Sequence, residues 1–144
     1  GLVGSEMCIR DRSIDSPDAL YRSPDSTINK LTFISSNKNL EINLITKPID
    51  ENSDLSNELI NDFKERNFIN VITKNEDFQT LDGDKGVKIF GSFDDQNLNR
   101  KKDYSTILFV VNKLSIKLEI IFERGNANLQ KIVDRVINSL KFNK

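Results

Sequence analysis

A chain of 144 residues with 37% hydrophobic and 30% charged side chains has the composition of one soluble globular domain, long enough to bury a single core. Its net charge of −1 gives no electrostatic footprint for nucleic acid or an acidic membrane, and its longest apolar run, Ile107 to Val111, is far too short to span a bilayer. There is no His and no Trp, and the one Cys (Cys8) and one Met (Met7) sit at the very start, so the remainder holds neither a Ser-His or Cys-His nucleophile pair nor a structural zinc site.

Residues 1–12, GLVGSEMCIRDR, resemble a translated sequencing adapter of the kind met at the ends of metagenomic gene predictions, and are expected to lie outside the fold. Ser13 to Lys144 then carries no Met and reads as the C-terminal fragment of a longer protein. Residues 13–30, with Pro17 and Pro24 among Ser and Asp, read as a loop or the remnant of a truncated element. A single domain is expected over 31–144.

Leu31 to Ile34 and Leu40 to Thr46 are predicted strands joined by the polar turn Ser35 to Asn39. Leu40, Ile42 and Leu44 share one face, with Glu41 and Asn43 on the other, and Lys47-Pro48 ends the strand because proline cannot donate to the ladder. Leu55, Leu59, Ile60 and Phe63 recur at helical spacing over 54–66, with Ser53 or Asp54 as N-cap. A short strand at Ile69 to Thr73 follows. Phe78 to Leu81 and Val87 to Phe93 are strands around the turn Asp82 to Gly86, where two glycines can supply positive φ. Gln96 to Asp103 reads as a polar, basic loop.

The last forty residues are patterned most clearly. Leu114, Ile116, Leu118, Ile120 and Phe122 alternate with Ser115, Lys117, Glu119 and Ile121. With Asn112-Lys113 as a two-residue turn, Val111 opposes Leu114, Phe109 opposes Ile116 and Ile107 opposes Leu118. Leu108 and Val110 make the other face of Thr106 to Val111 apolar too, which predicts a central strand covered on both sides. Arg124-Gly125-Asn126 breaks the pattern, and a terminal helix runs to about Leu140 with the stripe Leu129, Ile132, Val133, Val136, Ile137 and Leu140. Hairpins with one inserted and one terminal helix imply an α+β domain: an antiparallel sheet with helices packed on both faces, a three-layer α/β/α sandwich, N-terminally truncated.

From about Leu31 onward this order of elements resembles the PsbP-like superfamily of α/β/α sandwiches. The residues that carry the resemblance are Leu81-Asp82-Gly83-Asp84-Lys85-Gly86-Val87-Lys88-Ile89, the hairpin Tyr104 to Phe122, and the ending Ile137-Asn138-Ser139-Leu140-Lys141-Phe142. That superfamily includes extrinsic photosystem subunits, a Ran-binding nuclear factor, DcrB-type bacterial lipoproteins and chaperones for secreted effectors. The resemblance implies the sandwich fold and an exported protein. Its N-terminal hairpin with a proline and aromatic block is missing or unrecognisable here, and the histidine metal ligands of photosynthetic members have no equivalent, so no functional residue transfers.

Among candidate sites, Asp77, Asp82 and Asp84, with Asp94 and Asp95 beyond the next strand, offer hard oxygen ligands for calcium. They lack the twelve-residue loop and the bidentate Glu, and Asp-Gly turns explain them without a metal. Arg100-Lys101-Lys102, flanked by Asp95 and Asp103, reads as a solvated hairpin loop rather than a phosphate site. Gly83 and Gly86 do not form a phosphate-binding loop. Tyr21 and Tyr104 read as rim residues with their hydroxyls in water, and Phe63, Phe68, Phe90, Phe93, Phe109 and Phe122 as core or near-core.

No catalytic, cofactor-binding or metal-binding residue is assigned, and no cofactor is expected. The leading expectation is a non-catalytic binding or assembly domain of an exported bacterial envelope protein, periplasmic or envelope-associated. It would engage an unidentified protein rather than nucleic acid, with sheet edges and uncovered strand faces as contact surfaces. No transmembrane segment is visible, and a lipid anchor could be encoded upstream. The alternative is a cytoplasmic chaperone or adaptor that shelters an apolar partner segment. A third reading, a carboxylate-based enzyme, needs two acids converging in a pocket with perturbed pKa values.

Overall fold

The computed structural model describes residues 6–9, 12–15, 20–22, 30–48, 55–81, 83–111 and 113–142. In chain order the elements are β1 (Glu6–Ile9), β2 (Arg12–Asp15), β3 (Leu20–Arg22), β4 (Lys30–Ser35), β5 (Leu40–Pro48), α1 (Leu55–Glu65), β6 (Phe68–Gln79), β7 (Lys85–Asp95), β8 (Arg100–Val111), β9 (Leu114–Glu123), α2 (Ala127–Asn138) and β10 (Lys141–Phe142). The expected N-cap at Ser53 or Asp54, and Pro17, Pro24, Asp82 and Asn112, lie outside the described residues.

Seven strands pair in the order β3-β4-β5-β9-β8-β7-β6, and β1, β2 and β10 form a separate three-stranded sheet. Every pairing is antiparallel. The β8–β9 hairpin has the predicted register, with Val111 opposite Leu114, Phe109 opposite Ile116 and Ile107 opposite Leu118. Lys113 takes the left-handed conformation such a turn needs, at φ 64°.

Alternation along these strands sorts the apolar side chains into two cores, one per sheet face. Ile116, Leu118, Ile120 and Phe122 of β9 join Ile107 and Phe109 of β8 and Leu40, Ile42 and Leu44 of β5 beneath α2. Tyr104 and Leu108 of β8 and Ile121 of β9 point the other way, into a cluster with Ile89, Phe93 and Phe68 that Leu59 and Phe63 of α1 close. The predicted three-layer α+β sandwich is therefore observed, with helices on opposite faces of an antiparallel sheet. Val110 departs from the two-sided burial expected of its strand, at 57% exposure near the hairpin end.

Sequence signals at the termini of α2 place it accurately. Asn126 accepts the Leu129 N–H at 3.0 Å as N-cap, and the Ser139 hydroxyl donates to the Val136 carbonyl at 2.8 Å. Val133, Val136 and Ile137 are buried on the sheet, with Leu129 and Ile132 partly so. Each fully buried side chain contributes about 1.5–3 kcal/mol. In α1, Leu59 and Phe63 are buried but Ile60 stays 48% exposed. The helix ends where Asn67 turns left-handed, at φ 60°, and its N–H caps the Lys64 carbonyl at 3.1 Å.

Within 31–144 three segments differ from the sequence-based expectation, and before it β1, β2 and β3 are paired strands where an artefact and a loop or remnant were expected. Ile69 to Thr73 and Phe78 onward belong to one strand, β6, which has a bulge between Ile69 and Ile72. Its middle is polar because it lies at the sheet edge with both faces open, so no buried face writes a period into the sequence. Lys85 and Gly86 lie in β7 rather than in the turn. The turn is closed instead by Thr80 N–H to Asp84 O (2.8 Å), Gly83 N–H to Thr80 O (3.1 Å) and Asp84 N–H to Thr80 Oγ1 (2.9 Å). Gly86 is required by close approach: a Cβ there would stand 2.5 Å from the Leu108 carbonyl oxygen and 2.6 Å from the Phe109 ring. The expected loop over Gln96 to Asp103 is confined to a turn, and Arg100-Lys101-Lys102 open β8 as strand residues.

Candidate binding face

The face of the sheet that α1 covers carries the chain's most concentrated polar chemistry. One cross-strand row runs Thr32–Asn43–Glu119–Thr106 over β4, β5, β9 and β8. Thr32 Oγ1 donates to Asn43 Oδ1 at 2.7 Å, and Asn43 Nδ2 donates to Glu119 Oε1 and Glu41 Oε2, each at 2.9 Å. Glu119 is fully buried. A carboxylate in that position requires a cation, because desolvating an unpaired charge costs many kcal/mol.

The cation is Arg66, just past the end of α1. Its Nη1 lies 2.9 Å from Glu119 Oε1 and 3.1 Å from Asp62 Oδ2, and Nη2 lies 3.6 Å from Glu41 Oε2. The guanidinium carbon also stands 4.7 Å from the centre of the Phe68 ring. Burial alone would lower the pKa of Arg66, but the charges and hydrogen bonds of Glu119 and then Asp62 hold it above its ordinary value. The arrangement pins the helix end to the sheet. Glu119 Oε2, with Lys117 Nζ at 4.0 Å, and Thr106 Oγ1 are buried without a hydrogen-bond partner among the described residues.

Two concavities flank this cluster. A groove of about 290 Å³ separates α1 from β5, β9 and β8, with Ile45, Leu59, Leu108 and Lys117 among its walls. Lys47 Nζ bridges it to Glu58 Oε2 at 2.9 Å. A second, of about 380 Å³, lies at the end of the sheet between Arg66, Phe68, Leu98 and Lys102. Lys102 is buried and donates to the Lys38 carbonyl at 3.0 Å. Burial, then the charge of Arg100, lowers its pKa against the opposing pull of Asp95, Glu123 and Glu41.

Over β4 and β5 the same face is partly open at the margin of α1. On β4 and β5 the side chains directed to α2 are buried (Phe33, Leu40, Ile42, Leu44), whereas Lys30 and Lys47 are exposed and Ile34, Glu41 and Ile45 half-buried. Ile34, opposite Glu41, and Ile45, opposite Lys30, stand at the two ends of this face, with the half-buried Thr32 and the buried Asn43 between them.

The acidic residues singled out from sequence lie toward the two ends of the β6–β7 hairpin rather than gathered. Asp77 opposes Val87 and Asp84 closes the turn at one end. Asp94 and Asp95 lie at the other end, about 30 Å away for a strand of this length. Asp94 accepts from Asn70 at 2.9 Å and from Arg124 at 3.2 Å, and the Asn70 hydrogen bond, with Arg124, holds its carboxyl below the usual range. Asp95 Oδ1 accepts the N–H groups of Asn97 (3.0 Å) and Leu98 (3.3 Å). Among the described residues no group of three His, Cys, Asp or Glu side chains could hold a metal ion, and no helix is long and apolar enough to cross a membrane.

The basic run does not form a solvated loop. Arg100 Nη1 donates to Asn37 O (3.2 Å) and Asn39 Oδ1 (3.3 Å), so with Lys102 it clamps the β4–β5 turn. Tyr104 is not a rim residue either: it is 1% exposed, with its hydroxyl 2.9 Å from Thr73 Oγ1 and 3.1 Å from Ile72 O. Phe63, Phe68, Phe93, Phe109 and Phe122 are buried as expected, while Phe90 is only half-buried beside Lys88. Sequence reasoning missed the Arg66–Glu119 pair, because Glu119 occupies an ordinary polar slot in an alternating strand. The available signal was Asn43 and Glu119 as polar residues on strands otherwise destined for the core.

No family model and no characterised protein matches the chain in sequence. Solved structures do. A point mutant of the protein Mog1 is 10% identical, with a TM-score of 0.62 over 99% of this chain and 97% of that one. Cyanobacterial PsbP (CyanoP) from Synechocystis sp. PCC 6803 is 11% identical, with a TM-score of 0.59 over 92% of this chain and 86% of that one. The Saccharomyces cerevisiae Ran-binding protein Mog1p is 11% identical, with a TM-score of 0.57 over 96% and 87%. The chain thus has the fold shared by PsbP and Mog1, as the resemblance in its sequence implied.

Proposed function

We propose that this PsbP/Mog1-like domain binds a protein partner, without catalysis of its own, and receives it on the half of the sheet that α1 leaves open. The observation that carries the reading is the asymmetry of β4 and β5: the face toward α2 is buried, whereas on the other Ile34 and Ile45 stay partly accessible at either end of the Thr32–Asn43 pair, among Lys30, Glu41 and Lys47. Partly accessible apolar side chains interspersed with polar and charged ones make the mixed surface that protein interfaces share. The likeness in fold to a Ran-binding protein supports a binding role. The sequence resemblance supports a setting at a bacterial envelope.

A photo-crosslinking side chain at Ile45, in the source cell, tests this. One discrete adduct is expected there and none from Asp134 on the outer face of α2; equal labelling at both overturns the assignment of the face. Turnover by the purified protein that is lost in Asp62→Asn or Glu119→Gln overturns the non-catalytic reading. The groove walled by Ile45, Leu59 and Leu108 favours a second reading, a cytoplasmic chaperone or adaptor that shelters an apolar partner segment. The upstream reading frame separates the two, since a signal peptide or lipobox supports the envelope and a plain start codon the cytoplasm.

A further inference from the structure

β6 is the far edge of the seven-stranded sheet, and among the described residues it pairs only with β7. Edge strands are ordinarily kept short or interrupted, because unpaired N–H and C=O groups invite another strand. Here the edge is twelve residues long, and its bulge guards only the first third, between Ile69 and Ile72. From Ile72 to Gln79 the ladder to β7 is unbroken. Nearly all of this stretch is exposed on both faces, Ile72 to 57%, with Val87 of β7 beside it at 41%.

The charge pattern of that stretch identifies its occupant. We infer that β6 pairs antiparallel with β6 of a second copy, about a two-fold axis at Asn75, on a surface distinct from the face proposed above. In this register Lys74 of each copy stands directly opposite Glu76 of the other. Ile72 meets Phe78, and Thr73 meets Asp77. Opposed residues share a sheet face, as an axis perpendicular to the sheet demands. Neighbouring registers fail: a slip one way sets Lys74 on Lys74, and a slip the other way sets Glu76 on Glu76, and like charges directly opposite destabilise a pair. Glu76 already lies 3.5 Å from Lys88 on β7, so pairing extends a Lys88–Glu76–Lys74 ladder across the dimer seam. The sheet would become continuous through both copies.

The whole chain in a concentration series by sedimentation and light scattering tests this. The wild type is expected to pass from a mass near 16.5 kDa to about twice that value. Lys74→Glu and Glu76→Lys each place like charges across the seam and are expected to remain monomeric. An equimolar mixture of the two variants restores complementarity and should dimerise, as should the double variant K74E/E76K with itself. Lys74 and Glu76 are exposed in each copy, and a retained cooperative thermal transition by circular dichroism would confirm that each variant folds, the Glu76→Lys variants melting somewhat lower for want of the bridge to Lys88. A wild type that stays monomeric to several hundred micromolar overturns the inference and leaves the edge to another occupant. Single variants that still dimerise overturn it by placing the contact elsewhere. A mixture that stays monomeric overturns the register.

Discussion

Replacing Arg66 by Met should destabilise the fold by about 3 kcal/mol, because Glu119 is left buried with no cation bonded to it. Glu119 is 0% exposed, and its Oε1 takes the 2.9 Å bond from Arg66, while Oε2 has only Lys117 at 4.0 Å. Removal of one partner from a buried pair costs about 3–5 kcal/mol, and the 27% exposure of the Arg66 side chain argues for the lower end. Met keeps the packing of the stem near Phe68, so the loss reports the charge. In a chain of this size 3 kcal/mol lowers Tm by about 10 °C. With no Trp to follow, far-ultraviolet circular dichroism through a urea or thermal transition is the assay. The second half of the experiment is R66M/E119Q, in which Gln retains a hydrogen-bonding oxygen for Asn43 but no charge. It should recover all but about 1 kcal/mol, since replacement of both members of such a pair is often close to neutral. A single variant within about 0.5 kcal/mol of wild type would refute the reasoning, as would a double variant no better than the single.

Gly91→Ala should strip β6 from the sheet locally: its Cβ would stand 1.8 Å from the Ile72 carbonyl oxygen, and the bulged backbone must move. A loss of about 2 kcal/mol with fast amide exchange along β6 is expected, and exchange equal to wild type would count against it. Tyr104→Phe removes the bonds to Thr73 and Ile72 and should cost about 1–2 kcal/mol at neutral pH. Burial raises the Tyr104 pKa above 10.0, so the folded state holds this proton more tightly than the unfolded. Its contribution is full below pH 10 and falls as pH rises through the folded value, so the gap between wild type and variant should narrow in alkali. A gap that stays constant would contradict this. Val136→Asp puts an unpaired charge at a fully buried point of the α2 stripe and should cost several kcal/mol or abolish folding; an unchanged urea midpoint would mean that α2 packs by another face.

The parts of the fold legible in sequence were those with one buried face. The β8–β9 register followed from alternation against a two-residue turn, and α2 from a continuous 3.6-residue stripe between Asn126 and Ser139. β6 was not legible as one strand, because neither of its faces is covered and its polar middle has no reason to alternate. The roles of Gly86 and Gly91 were hidden for a related reason: what demands them is an atom of another strand. The candidate face was not legible, because which strands stay uncovered depends on where α1 docks.

The sequence by itself determined the α+β class, the hairpin that centres the sheet, and the stripe by which α2 packs. Periodicity and turn chemistry are local, and the burial of one face is written into them. Only the tertiary structure decided that Glu119 is buried and that Arg66 answers it, and that Lys102 and Tyr104 are interior. Those facts depend on residues far apart in the chain (Arg66 and Glu119 are separated by 53 positions) being brought within 3 Å. Electrostatics acts across that gap only once the sheet has closed it.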